Sequence, residues 1–208
     1  MHLNSPKELL LIFTRNPELG KCKTRLAATI GDRAALDIYC FLLEHTRTIT
    51  QNLNADKFVY YSETIGENDI WTEDYYEKKL QVGDDLGQRM FNAFDKGFKK
   101  GYDRIIIIGS DMYDIDQHDL MHAFAQLKTN DFVIGPASDG GYYLLGAKKM
   151  NKNLFLNKAW GTPTVLKATL RDLENENFEQ LDIKNDVDLY DDIKDHEAFQ
   201  PFLKHLKP

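Results

Sequence analysis

Three groups of residues have the charge and spacing to act on a phosphorylated ligand. The first begins with four consecutive isoleucines at 105–108, which stop at Gly109 and Ser110 and give way to Asp111, Asp114 and Asp116. So apolar a run favours a strand buried on both faces, and a central strand of an open α/β sheet delivers the residues after it into the crevice at the carboxyl edge, where such folds bind ligands. Asp and Ser also cap helices and solvate turns, so one acid there would carry little meaning. Three are enough to expect metal or ligand binding at this edge.

The second group follows another apolar run, at 9–13. Residues 15–25 hold Arg15, Gly20, Lys21, Lys23 and Arg25. Four cations in eleven residues behind a strand repel one another unless an anion sits among them, and phosphate is the natural one. The loop is not a Walker A sequence, and no Gly-x-Gly-x-x-Gly follows the strand. The third group, Asp186 and Asp188, lies in a late acidic stretch at 181–188. A hard divalent cation, Mg2+ or Mn2+, bridging Asp111 and Asp186 or Asp188 would coordinate phosphate oxygens, while Arg15, Lys21, Lys23 and Arg25 offset the remaining charge. In such a site losing one well-aimed contact costs roughly 3 kcal/mol of transition-state stabilisation. Asp111, Lys23 and Arg25 are the expected catalytic groups, and no covalent nucleophile is required.

Two further segments are weaker candidates for ligand contact. Asp84 and Asp85 stand between Gly83 and Gly87 at the start of an amphipathic helix, where carboxylates favour the free backbone amides. Asp139, Gly140 and Gly141 form a sharp connection between two strands, where paired glycines leave room for a sugar or base. His118 and His122 are four residues apart but lack the Glu of His-Glu-x-x-His, and are expected on a helix surface. Gly109-Ser110-Asp111 is not the Gly-x-Ser-x-Gly elbow of a serine hydrolase.

The elements that must position these groups alternate. Strands are expected at 9–14, 57–61, 105–108, 131–135 and 142–145, and helices at 31–50, 86–98, 119–128 and 165–173, with Thr162 as cap and Pro163 in the first turn of the last. A terminal helix takes in Ile193, Ala198 and Phe199. The segment 62–79 has no clear period, and its Trp71, Tyr75 and Tyr76 read as a satellite core. The succession predicts a three-layer α/β/α sandwich, and the short gap between the strands at 131–135 and 142–145 makes its sheet mixed, mostly parallel. With 208 residues, no low-complexity linker and no repeat, one domain over 1–208 is expected.

A formal charge of -7, from 33 acidic against 26 basic residues, argues against nucleic acid as a partner. Cys22 and Cys40 fit neither a zinc spacing nor a disulfide framework and are expected as free thiols. The run at 9–13 is too short for a signal peptide core or a membrane span, so a cytoplasmic protein is expected. Nothing in the sequence sets an oligomeric state.

Taken in order, residues 13–26, 83–90, 108–111, 134–146, 160–162 and 186–188 resemble the DUF2064 family, glycosyltransferase-A-like proteins associated with radical-SAM/selenodomain proteins. The resemblance implies a nucleotide-diphospho-sugar transferase (GT-A-like) fold. It implies a substrate that is either a nucleotide-sugar, for glycosyl transfer to an unknown acceptor, or a nucleoside triphosphate, for nucleotidyl transfer to a phosphorylated small molecule. It assigns Asp111 as the metal-associated aspartate and Asp188 or Asp186 as its late partner. Arg15, Lys23 and Arg25 fall in the phosphate-side loop, and Asp139, Gly140 and Gly141 at the acceptor or sugar end. Glycosyl transfer is the leading expectation, nucleotidyl transfer its alternative, and a non-catalytic nucleotide-binding protein the third. Two positions depart from the family pattern: Tyr113 stands for a proline and Leu189 for a threonine.

Overall fold

A computed structural model describes residues 6–206. The isoleucines form β4 (Arg104–Gly109), with Ile105 to Ile108 each no more than 4% exposed. It pairs in parallel with β1 (Glu8–Thr14), likewise apolar on both faces. Among the described residues these two lie at the middle of a seven-stranded sheet of order β3-β2-β1-β4-β6-β5-β7. The others are β2 (Asp56–Tyr61), β3 (Glu77–Leu80), β5 (Phe132–Pro136), β6 (Tyr142–Ala147) and β7 (Phe178–Gln180). Only β6 is reversed, antiparallel to both β4 and β5. Five residues between β5 and β6 leave no length for a crossover helix, so the chain returns as a hairpin.

The alternation of side chains along each buried strand splits the core into two layers. Leu10, Ile12, Ile106 and Ile108 face α2 (Asp32–Gln51) and α4 (Gln117–Gln126), whose Tyr39, Leu43, Leu120 and Phe124 meet them. Leu9, Leu11, Ile105 and Ile107 face α3 (Leu86–Lys99) and α5 (Val165–Leu173) through Met90, Phe94 and Leu173. This is the expected three-layer sandwich. A third cluster joins α1 (Thr24–Ile30) and α2 to α6 (Tyr190–Ile193) and the 3-10 segment Glu197–Leu206 through Leu26, Ile38, Ile193 and Phe199.

Several local expectations are corrected. Helix α1 begins inside the stretch expected as loop, so Arg25 is helical. Strand β3 lies in the segment without a period. Trp71 and Tyr76 are buried, but Tyr75 is 45% exposed. The cap position of α5 is Thr164, and Thr162 donates instead to the Ala159 carbonyl at 2.8 Å. His118 and His122 stack on the exposed face of α4, as expected of surface residues. Both cysteines are free, and burial pushes both thiols up. No helix among the described residues is long and apolar enough to cross a membrane.

Candidate functional site

The carboxyl ends of β1, β4 and β5 open onto one edge of the sheet, and three loops distant in sequence meet there. Beneath them is a buried hydroxyl network. Ser110 donates to Thr14 at 3.0 Å, joining the ends of β4 and β1. Tyr39 comes up from α2, 3% exposed; its hydroxyl accepts from the Arg15 amide at 2.9 Å and lies 3.4 Å from Ser110. Tyr39 was not singled out in the sequence, although a tyrosine among the apolar positions of α2 signals a buried hydroxyl in need of a partner.

On this base sits the cationic loop. Gly20 holds φ 75°, a left-handed turn open to glycine. Lys23 adopts φ 48° and ψ 48°, uncommon for lysine, at the entry to α1. Its side chain is only 5% exposed, and Nζ reaches Asp111 Oδ2 at 2.8 Å. Gly109 makes room for that carboxylate, since a Cβ there would stand 2.8 Å from Asp111 Oδ1. Burial works to raise the Asp111 carboxyl, but the Lys23 charge and hydrogen bond, with Arg15 behind them, hold it below the usual range. Arg25 binds Asp188 at 2.8 Å. Lys21 is turned away, toward Glu18 at 2.7 Å and Glu63 at 3.7 Å, and is not brought in with the others.

The late acidic loop is drawn to the same edge by contacts the sequence did not announce. Lys184 bonds Asp119 at 2.8 Å and the Asp114 carbonyl at 2.9 Å, and the Asn185 amide donates to Asp114 at 3.0 Å. Asp114 is thus a loop tie, and Asp116 caps α4 in a reciprocal capping box with Asp119. Of the three acids after β4, Asp111 alone faces the cationic loop, through Lys23. The late acidic loop carries Asp186 among Asp139, Asp188 and Lys23. Burial first, then the Asp139 charge, raises its carboxyl to about 6.

Beside this cluster is a cavity of about 230 Å³, walled by Phe13, Met90, Tyr142 and Trp160, with Asp139 and Gly141 at its polar side. Trp160 packs against α3, where a Cβ on Gly87 would stand 2.7 Å from the indole. Asp139 accepts the Gly141 amide at 2.7 Å, and Gly140 at φ 88° carries the chain against Pro163. Asp84 is exposed and does not line this cavity, while Asp85 caps α3 by accepting the Gln88 amide at 2.8 Å.

The two departures are accommodated. Tyr113 lies among Phe41, His45, His196 and Phe199, with ring centroids 4.8–5.5 Å away. Leu189 offers no hydroxyl, but Asp192 accepts the amides of Asp188 at 2.9 Å and Leu189 at 2.6 Å. Among the described residues no group of three His, Cys, Asp or Glu side chains is placed to hold a metal by itself. Carboxylates in ones and twos are the donor type that a hard cation shares with phosphate oxygens. Asp139 and Asp188 both push on Asp186 by like charge, a repulsion that any cation bound beside Asp186 would relieve.

A mostly parallel sheet with one reversed strand, ending in cations, carboxylates and a lined cavity at its carboxyl edge, defines a transferase-type GT-A-like fold, one that serves both glycosyl and nucleotidyl transfer. The chain belongs to DUF2064, a family described as an uncharacterized protein conserved in bacteria, which residues 45–162 match. It is similar to the crystal structure of a candidate nucleotide-diphospho-sugar transferase from Desulfovibrio desulfuricans G20, at 30% identity and TM-score 0.83, covering 97% of this chain and 95% of that one. A cytidylyltransferase from Leptospira borgpetersenii serovar Hardjo-bovis (strain JB197) shares the fold at 18% identity and TM-score 0.54, covering 98% and 89%. So does Rv0371c of Mycobacterium tuberculosis H37Rv in complex with manganese, at 11% identity and TM-score 0.55, covering 90% and 96%. No curated protein matches the sequence.

Proposed function

We propose that this protein is a nucleotidyltransferase, joining a nucleoside triphosphate to a phosphorylated small molecule with release of pyrophosphate. The observation that carries this reading is Lys23. Its buried ammonium stands on Asp111 with Arg15 close enough to act on the same carboxylate, beside a cavity sized for part of a small molecule. A triphosphate needs more neutralisation than a diphosphate-sugar, which favours it at a site where Lys23 and Arg15 act on one carboxylate. The cytidylyltransferase shares the fold, which supports the reading without identifying the base.

In this reaction an oxygen of the substrate's phosphate attacks the α-phosphorus. The bond from that phosphorus to the oxygen bridging it to the β-phosphate breaks, and pyrophosphate leaves with the electron pair. A phosphate monoester is largely ionised at neutral pH and needs no general base; none of the residues lining the cavity is a histidine. Lys23 and Arg15 neutralise the β- and γ-phosphates, and Arg25 holds the late loop through Asp188. Asp111 and Asp186 would hold Mg2+ or Mn2+, which when bound screens the phosphate oxygens and the charge developing on the leaving group. Trp160 and Tyr142 wall the second substrate, and Asp139 accepts from its hydroxyls.

Glycosyl transfer from a nucleoside-diphosphate sugar is the second reading, favoured by the Asp139 carboxylate at the cavity wall and by the name of the Desulfovibrio relative. Incubating the protein with Mn2+, each nucleoside triphosphate and a panel of sugar and polyol phosphates should release pyrophosphate. Release of nucleoside diphosphate from nucleotide-sugars, with no pyrophosphate from any triphosphate, would establish glycosyl transfer instead. Tight binding with no turnover in either panel would leave a non-catalytic nucleotide-binding protein.

A further inference from the structure

Lys23 has two carboxylates to serve. It bonds Asp111 at 2.8 Å, and its charge also acts on Asp186, on a loop some 160 residues further along, against the push of burial and Asp139. An amine with 5% of its side chain exposed cannot stand without a counter-charge, because desolvating an unpaired ammonium is expensive. Nor can the carboxylates lose it without leaving net negative charge at the head of β4. Its backbone sits in the left-handed region with no side-chain cap on α1, a conformation kept where surrounding contacts impose it. Lys23 thus holds Asp111 directly and acts on Asp186 through its charge, the place a small divalent cation between the two loops would take.

We infer that Lys23 is an internal counter-cation that competes with the divalent metal for Asp111, so that metal binding is weak until triphosphate draws the ammonium away. The inference rests on the proposed metal site and adds an order to its use. Phosphate takes Lys23, the metal takes Asp111, and each step favours the other. By linkage the coupling is reciprocal: whatever factor triphosphate adds to metal affinity, metal adds to triphosphate affinity. The exchange keeps the net charge among the three loops from swinging strongly negative at any stage, and it disfavours metal held unproductively without nucleotide.

Titrating the full chain with Mn2+ alone, and following the free-ion signal by electron paramagnetic resonance, tests this without reference to turnover. Lys23→Met should bind Mn2+ about tenfold or more tighter than the unsubstituted protein. Lys21→Met, which removes the same charge from the surface pair with Glu18, should stay within about twofold. Adding Asp111→Asn to Lys23→Met should abolish the gain. If Lys23→Met folds poorly by thermal unfolding, Lys23→Gln reads the same quantity. Mn2+ affinity in the Lys23 variants no higher than in the unsubstituted chain, undetectable binding to all of them included, overturns the inference. A clear gain at Lys23 with no pyrophosphate released from any triphosphate would refute the nucleotidyl reaction and leave the competition standing.

Discussion

Asp186 and Asp111 are carboxylates on neighbouring loops with opposite fates. Lys23 and Arg15 outweigh burial at Asp111, whereas burial and Asp139 outweigh Lys23 at Asp186, whose carboxyl rises from 3.8 to about 6. Between those two values the folded protein holds a proton that the unfolded chain has lost. Stability contributed by Asp186 therefore falls as pH climbs through the window, and above it the whole cost of the buried charge is present. Asp186→Asn removes that cost. By urea unfolding at pH 7.5 the variant should be more stable by on the order of 1–3 kcal/mol, with the difference vanishing near pH 4. Equal stability at pH 7.5 would mean the Asp139 and Asp188 charges are already relieved. Tyr39 gives the converse case. Tyr39→Phe leaves the Arg15 amide without its acceptor and should cost about 1–3 kcal/mol at every pH below the tyrosine's own titration, which burial raises. A loss under a few tenths of a kcal/mol would mean water replaces the hydroxyl.

At the scale of elements, the walls of the cavity depend on how closely α3 approaches the 155–162 segment. Gly87 is the reason it can: a Cβ there would meet the Phe155 carbonyl and the Trp160 indole. Gly87→Ala should push Trp160 out of the wall while Trp71, 1% exposed in the opposite layer, stays in place. The fluorescence of the variant should shift to longer wavelength through Trp160 alone, and an unchanged spectrum would place the indole free of α3. The long amphipathic or uniformly apolar elements could be read from sequence because burial imposes their pattern: β4 announces itself in four isoleucines, and α5 was bounded to the residue. β3 could not, since Glu-Lys-Lys-Leu on an edge carries no alternation, and α1 was hidden because its cations read as loop. Tyr39 and Lys184 escaped notice, and Asp114 was expected to bind ligand rather than tie two loops, for a different reason. Their partners are 24 to 71 positions away, and no local spacing encodes a tie between loops.

Across the whole molecule, the candidate site is a meeting of three loops held by charge. Lys23 ties the first to the second through Asp111, Arg25 ties the first to the third through Asp188, and Lys184 ties the third to α4 through Asp119. Because no single loop owns the site, a ligand that engages all three must stabilise the entire fold, by RT ln(1 + [L]/Kd), about 2.7 kcal/mol at a hundredfold excess over Kd. The competition at Asp111 makes that stabilisation non-additive. Mn2+ alone should move the thermal midpoint little, because Lys23 holds its ligand, and triphosphate alone should move it modestly, because Lys23 leaves two carboxylates uncompensated when it turns to phosphate. Together they should raise the midpoint by more than the sum of the separate shifts, and Asp111→Asn should return the response to additivity. Scanning unfolding with Mn2+, with a nucleoside triphosphate and with both decides the matter. Simple addition of the two shifts in the unsubstituted chain would mean that metal and phosphate occupy separate places at this edge rather than exchanging partners around one lysine.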